Sequence, residues 1–230
     1  MNDSASVHPA PGISPTPAEA TFFRTYGFLT LHGLLSRDEV AELAECFDAA
    51  VKRATGRSPD AAGVYGDRSQ ALVTVVSPEA SVPALRGSRL VSEARRVISV
   101  LFEVSEERLL CGWRCFLKPS GGDVTPWHQD AAYRPPPHHG GTIWLPLDPA
   151  TMESGCMQYL PGSHREGVLE HAFHGNHFVA EPDDVDAAVS CPLSPGDVSV
   201  HNCLTMHRAG ANQTAKPRRA FAVVCQVVPA

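Results

Sequence analysis

The stretch Thr125-Pro-Trp-His-Gln-Asp-Ala-Ala-Tyr133 sets His128 and Asp130 two residues apart. Residues i and i+2 of an extended strand project from the same face of a sheet. Read as a strand, the segment aims an imidazole and a carboxylate together into the space beneath it. That pair is two thirds of a two-histidine, one-carboxylate metal site, a ligand set that leaves three positions of the ion open. The same spacing also arises in ordinary surface strands, so the surrounding sequence has to decide.

On both sides of this stretch, short β-prone runs alternate with Gly, Pro, Asp and Asn. They fall at 109–117, 124–133, 142–147, 156–160, 189–193, 198–203 and 219–227. Many short strands with frequent turn signals predict a β-sandwich or barrel. The first part of the chain reads differently. Thr21 to Tyr26 followed by Gly27-Phe-Leu-Thr-Leu-His reads as a short helix running into a strand. Ser36-Arg-Asp-Glu39 is a capping box, and Val40, Leu43, Phe47 and Val51 recur at helical spacing up to Gly56. A loop rich in Pro, Asp and Gly precedes the β-branched run 71–76. A further helix is predicted over 88–102, with Leu90, Val91, Ala94, Val97, Ile98 and Leu101 on one side. The expected fold is mainly β with N-terminal helices: a jelly-roll core over 106–230, a helical part over 21–105, and a flexible tail over 1–20.

The 230 residues are 43% hydrophobic and 19% charged, with a formal charge of −6. That balance is ordinary for a globular domain and argues against nucleic acid, whose phosphates call for a basic surface. The longest apolar runs are strand-length, and no signal peptide is read, so a cytoplasmic protein without a membrane span is expected. The seven cysteines include no CxxC pair, which predicts reduced, mostly buried thiols rather than disulfides or a zinc ribbon.

About eighty residues after His128, the segment Ser194-Pro-Gly-Asp-Val-Ser-Val-His-Asn-Cys-Leu-Thr-Met-His-Arg-Ala-Gly-Ala-Asn carries two further histidines, His201 and His207. Either completes a triad. The pair Arg218–Arg219 enters the last strand, where a guanidinium matches the carboxylate of a dicarboxylic cosubstrate in two-point geometry.

Four motifs in order make the resemblance specific: Trp127-His-Gln-Asp130, then Thr142-Ile-Trp-Leu-Pro-Leu-Asp148, then Glu153-Ser-Gly-Cys-Met-Gln-Tyr-Leu-Pro-Gly-Ser-His164. The last is Gly196-Asp197 followed by His207-Arg-Ala-Gly-Ala-Asn212 and Arg218. With them the chain resembles the phytanoyl-CoA dioxygenase family of Fe(II)/2-oxoglutarate oxygenases, from about Phe22 to Val228. The resemblance implies a double-stranded β-helix core, with Fe(II), 2-oxoglutarate and O2 as the reaction's requirements and succinate and CO2 as by-products. It implies His128, Asp130 and His207 as iron ligands, His207 standing eleven residues before the cosubstrate arginine. It further implies Arg218 at the distal carboxylate of 2-oxoglutarate and Trp144 beside it, with Thr142 as a hydroxyl donor to a cosubstrate carboxylate. Because Asp130 is retained, halogenation is not expected. His201 is then a strand histidine near the site.

Arg114, Tyr133, Arg134 and Gln70 are candidates for the substrate pocket; for Arg114 a structural ion pair is an equal alternative. The loops at 59–69, 135–141 and 165–186 shape the specificity end. His171, His174 and His177 read as surface histidines in a loop, as do His138 and His139, while Trp113 and Trp127 read as core. The expected product is an oxidised small metabolite or natural-product intermediate, made by a monomer or homodimer. The competing readings are a silent jelly-roll binding protein and a metal-dependent cupin-like isomerase that does not use 2-oxoglutarate.

Overall fold

Two capping boxes start the first two helices. Thr16 and Glu19 exchange bonds at the head of α1 (Pro17–Tyr26), and Ser36 and Glu39 do the same for α2 (Arg37–Thr55). Each satisfies two of the backbone N–H groups that a helix start leaves open. α1 begins four residues earlier than its apolar pattern suggests, because the cap and Pro17 precede the first apolar position. α2 ends at Gly56 in the left-handed conformation, and α3 (Arg89–Phe102) buries Leu90, Ala94, Val97, Ile98 and Leu101.

The computed structural model describes residues 13–59, 72–174 and 177–229. The tail expected at the N-terminus and the loop at 59–69 therefore lie mostly outside the described residues, as does Gln70. Among the described residues twelve strands follow in order: β1 (Phe28–Leu31), β2 (Val73–Val76), β3 (Leu109–Lys118), β4 (Thr125–His128), β5 (Gly140–Pro146) and β6 (Met157–Tyr159). They continue with β7 (Ala172–His174), β8 (His177–Val179), β9 (Val189–Cys191), β10 (Val198–Asn202), β11 (His207–Ala209) and β12 (Arg218–Val227). The major sheet runs β1-β10-β5-β12-β3-β2, the minor one β4-β11-β6-β9, and every pairing in both is antiparallel.

The major sheet separates two cores by simple alternation. One set of residues, including Leu29, Val200, Ile143, Phe221, Val223, Trp113 and Leu117, packs against α2 and α3. The alternate set, including Phe28, Trp144, Phe116, Ala220 and Ala222, packs against Met157 and Tyr159 of the minor sheet. This is the expected jelly roll, with its helices on the outer face of one sheet. Polar and charged residues on the inner face, His201, Thr142, Lys118 and Arg218, are buried in the space between the sheets. Arg219, one position on, points outward and ties β12 to the helical layer through Asp148 and Asp48 on α2.

Two expectations fail. Cys111 and Cys225 form a disulfide, because β3 and β12 place them directly opposite each other, on the face that meets the helices. A cross-strand register 114 residues apart leaves no trace in local spacing. The other five cysteines are free, and Cys115, Cys156, Cys191 and Cys203 are buried as expected. Around His171 to His177, the loop reading gives way to the β7–β8 hairpin.

Gly27 joins α1 to β1 and sets how both meet the site. It sits at φ +82°, and a side chain there would come within 2.5 Å of His164 Nδ1 and of Thr205 Oγ1. Its carbonyl accepts from the Asn202 backbone N–H and the Thr205 hydroxyl. The N-terminal layer is thus clamped onto the turn that delivers His207.

Candidate metal and cosubstrate site

His128 ends β4 and His207 opens β11, and the register pairs them directly across the minor sheet. Directly opposed side chains share a face, so the two imidazoles converge with ring centroids 4.2 Å apart. Asp130 does not lie on the strand as expected. β4 stops at His128, and Asp130 begins a single 3-10 turn that runs to Tyr133. The alternation survives because Gln129 stays extended (φ −117°, ψ 138°), so Asp130 still turns to the side of His128. One nitrogen or oxygen each from His128, Asp130 and His207 lie within 4.8 Å of one another.

The hydrogen bonds assign the tautomers. His128 Nδ1 lies 2.9 Å from the Pro126 carbonyl and His207 Nδ1 2.8 Å from that of Thr205. A carbonyl only accepts, so each Nδ1 carries the hydrogen and each Nε2 keeps its lone pair. Burial pushes the His128 imidazole down, and burial with the neighbouring histidines pushes His207 well below its ordinary value. Burial alone would raise the Asp130 carboxyl, but the His201 hydrogen bond and the nearby His207 hold it well below the carboxylate range. The donor set is two neutral imidazoles and one carboxylate, which fits a divalent transition metal.

Gln129, between the two ligands, is fully buried. Its amide nitrogen donates to the carbonyls of Gly167 and Leu204, and its oxygen accepts from the Leu169 backbone N–H. Its own backbone N–H donates to His171 Nε2, which gives that histidine a structural part instead of a merely superficial one. Gln129→Ala leaves three part-buried backbone groups without these partners, at about 1 kcal/mol each. The expected result is a melting temperature lower by roughly 10 °C, since each kcal/mol is worth about 2–4 °C in a chain this long. A melting temperature within 2 °C of the parent in calorimetry contradicts it.

The major sheet supplies the rest. Arg218 on β12 is 2% exposed, and its guanidinium lies 5.0 Å from the centre of the Trp144 ring on β5. Its Nε and Nη1 have no hydrogen-bond partner among the described residues. Burial lowers its pKa to about 10. Buried donors left unmade call for a ligand. The Arg219 guanidinium, by contrast, is bonded to Asp148 and Asp48. Lys118 lies directly opposite Arg218 and was not singled out by the sequence. It is 1% exposed and donates to the carbonyls of Asp123 and Gly210 and to Thr125 Oγ1. Burial, with Arg218 beside it, pushes its pKa down to about 7. Asn212 braces the approach to β12, its Nδ2 donating to the carbonyls of Lys118, Pro119 and Lys216.

Thr142 departs from its expected use. Its one hydroxyl hydrogen goes to Asp130 Oδ2 at 2.5 Å, so none remains for a cosubstrate carboxylate. His201 comes to the same oxygen. Arg114 lies on the inner face beside Ala222, in line with Trp144 across β12. Its Nη1 donates to the Trp113 carbonyl, and no ion pair to it exists among the described residues. The Tyr133 hydroxyl accepts from the Phe178 N–H, and its ring meets His128 edge-on at 6.0 Å, linking the β7–β8 hairpin to the ligands. Arg134 Nη2 is buried without a partner among the described residues.

A family model for phytanoyl-CoA dioxygenase (PhyH) matches residues 23–220. The chain is 25% identical to phytanoyl-CoA dioxygenase domain-containing protein 1 of Danio rerio, over 90% of this chain and 88% of that protein. It is 32% identical to 1-deoxypentalenic acid 11-beta-hydroxylase of Streptomyces arenae, over 41% of this chain and 37% of that protein. Among solved structures, EvdO2 from Micromonospora carbonacea var. aurantiaca superposes with a TM-score of 0.82 at 37% identity, covering 94% of this chain and 92% of that one. EvdO2 has also been solved in complex with 2-oxoglutarate, with a TM-score of 0.81.

Proposed function

Because the chain belongs to the phytanoyl-CoA dioxygenase (PhyH) family, we propose that it oxidises a small natural-product intermediate, most simply by hydroxylation, at an iron held by His128, Asp130 and His207. The enzyme is an Fe(II)/2-oxoglutarate-dependent dioxygenase. The observation that carries the assignment of residues is the convergence of three ligand atoms within 4.8 Å, opposite a buried arginine with unmade donors.

Bound together, Fe(II) and 2-oxoglutarate supply the oxidising chemistry, with O2 reduced as 2-oxoglutarate becomes succinate and CO2. The protein's part is positioning and exclusion. Pro126 and Thr205 carbonyls orient the imidazoles so that each Nε2 keeps a lone pair with which it would hold the ion. Arg218, with Trp144 beside it, would hold the distal carboxylate of 2-oxoglutarate. Ala220 and Ala222, between Arg218 and the level of Arg114, keep the inner face of β12 shallow enough to admit ligands.

Arg114, Arg134 and Tyr133 are assigned to the substrate. Arg114 has no acidic partner among the described residues, and an arginine without an ion pair on the inner face of the sheet suits a carboxylate or another anion on the substrate. Replacing Arg114 by Ala should then raise KM for such a substrate by about 10–100-fold and leave KM for 2-oxoglutarate unchanged; equal effects on both would remove the assignment.

The test of the reading as a whole is spectroscopic. Fe(II) and 2-oxoglutarate added under anaerobic conditions should give a weak visible charge-transfer band that is absent from His128→Ala. If iron and 2-oxoglutarate do not bind together, the proposal fails. Succinate formed in step with oxidised substrate separates an active oxygenase from a silent binding protein.

A further inference from the structure

The two oxygens of Asp130 are not equivalent. Oδ1 faces the His207 imidazole, 3.7 Å from Nε2. Oδ2 receives two hydrogen bonds, from Thr142 Oγ1 at 2.5 Å and from His201 Nε2 at 3.2 Å. Both donors come from the major sheet, where Thr142 and His201 are directly opposed on β5 and β10. Opposed residues share a face, which is why two side chains so far apart in sequence reach one oxygen.

His201 is itself held in place. A carboxylate only accepts, so His201 Nε2 carries the hydrogen, and in the neutral ring Nδ1 is an acceptor. The Tyr159 hydroxyl lies 3.3 Å from that Nδ1 and 2.8 Å from Ser199 Oγ. Tyr159, Ser199 and His201 are all buried, and the His201 ring lies 4.3 Å from that of His207. The chain Ser199–Tyr159–His201–Asp130 therefore runs from the inner face of β10 across β6 and back to the ligand carboxylate.

We propose that Thr142 and His201 are positioning residues that reserve Oδ2 of Asp130, so that the carboxylate offers the metal one oxygen only. This rests on the metal assignment made above. A carboxylate can chelate through both oxygens, and doing so consumes one more coordination position. Two histidines and one carboxylate oxygen leave three positions of six, enough for a chelating 2-oxo acid and one small molecule. Two carboxylate oxygens would leave only two. Holding Oδ2 by two donors to the ionised group, the stronger kind of hydrogen bond, keeps the third position open.

The test uses the metal-free protein and Co(II), whose visible spectrum reports coordination number, followed by nitric oxide binding to the anaerobic Fe(II)/2-oxoglutarate form. Thr142→Val keeps shape and removes one donor, Thr142→Ser restores it, and His201→Gln substitutes a shorter donor. The expected result is a Co(II) affinity about 10–100-fold weaker in Thr142→Val, with a changed Co(II) spectrum and weakened nitric oxide binding, and recovery in Thr142→Ser. His201→Gln should fall between Thr142→Val and the parent. Thr142→Val with parental Co(II) affinity and spectrum overturns the proposal, even if its melting temperature falls. If the parent protein binds neither Co(II) nor Fe(II), it is the metal assignment that has failed, and the proposal falls with it.

Discussion

Arg218→Met should make the ligand-free protein more stable while largely abolishing 2-oxoglutarate binding. The guanidinium is 2% exposed, has no acidic hydrogen-bond partner, and leaves Nε and Nη1 unpartnered among the described residues. The acidic charge that offsets it is that of Asp148, which is already bonded to Arg219. Keeping a buried charge in that condition costs stability, and replacing such groups with apolar side chains of similar volume gains about 1–4 kcal/mol. In a chain this long that is a rise of roughly 2–16 °C. Removal of a buried, two-point contact to a carboxylate costs about 2–5 kcal/mol of affinity, or some 30- to several-thousand-fold. Calorimetry on the metal-free protein and titration of 2-oxoglutarate measure the two effects separately. Arg219→Met is the control with the opposite signature. It breaks the bonds to Asp148 and Asp48 and lowers stability, but it leaves 2-oxoglutarate affinity near the parent's. Loss of stability in Arg218→Met with affinity retained would reverse the roles of the two arginines.

That neighbouring arginines should behave so differently follows from strand alternation, and it marks how far the sequence could be read. The period-two pattern of β12 puts Arg218 and Arg219 on opposite faces, but only the stacking of helices on one face says which side is the cavity. The spacing of His128 and Asp130 was legible, although the strand that justified it ends at His128. The geometry holds because Gln129 stays extended, and what keeps it so is a set of contacts to residues 167, 169 and 204 that no local pattern announces. Lys118 carries no local signal of its burial, which comes from the register that sets it against Arg218. The Cys111–Cys225 bond comes from the same ladder, seven rungs away. The β7 and β8 strands escaped notice because they are three residues each and β7 is exposed throughout, so neither carries an alternation to detect. By contrast, α2 was legible down to its cap and α3 in its span, since capping and periodicity are local.

The choice of His207 over His201 rests on the family resemblance in the sequence and on hydrogen-bond direction in the structure. Both rings are buried in the same cluster, 4.3 Å apart. His207 spends its Nδ1 hydrogen on the Thr205 carbonyl, which leaves the Nε2 lone pair toward Asp130 Oδ1 and His128. His201 spends its Nε2 hydrogen on Asp130 Oδ2 and has Nδ1 against Tyr159, so neither nitrogen is left for an ion. His207→Ala should therefore weaken metal binding far more than His201→Ala. Four-ligand zinc sites are worth roughly 10–16 kcal/mol, about 2.5–4 kcal/mol per ligand, so loss of one ligand weakens binding by about two to three orders of magnitude. His201→Ala removes only a bond to the ligand carboxylate, for which a loss of about 10–100-fold is expected. Equilibrium titration of Co(II) into each metal-free variant measures the difference directly. Should His201→Ala lose the metal and His207→Ala retain it, the ligand set becomes His128, Asp130 and His201, and the hydrogen-bonding assignment of both rings is wrong.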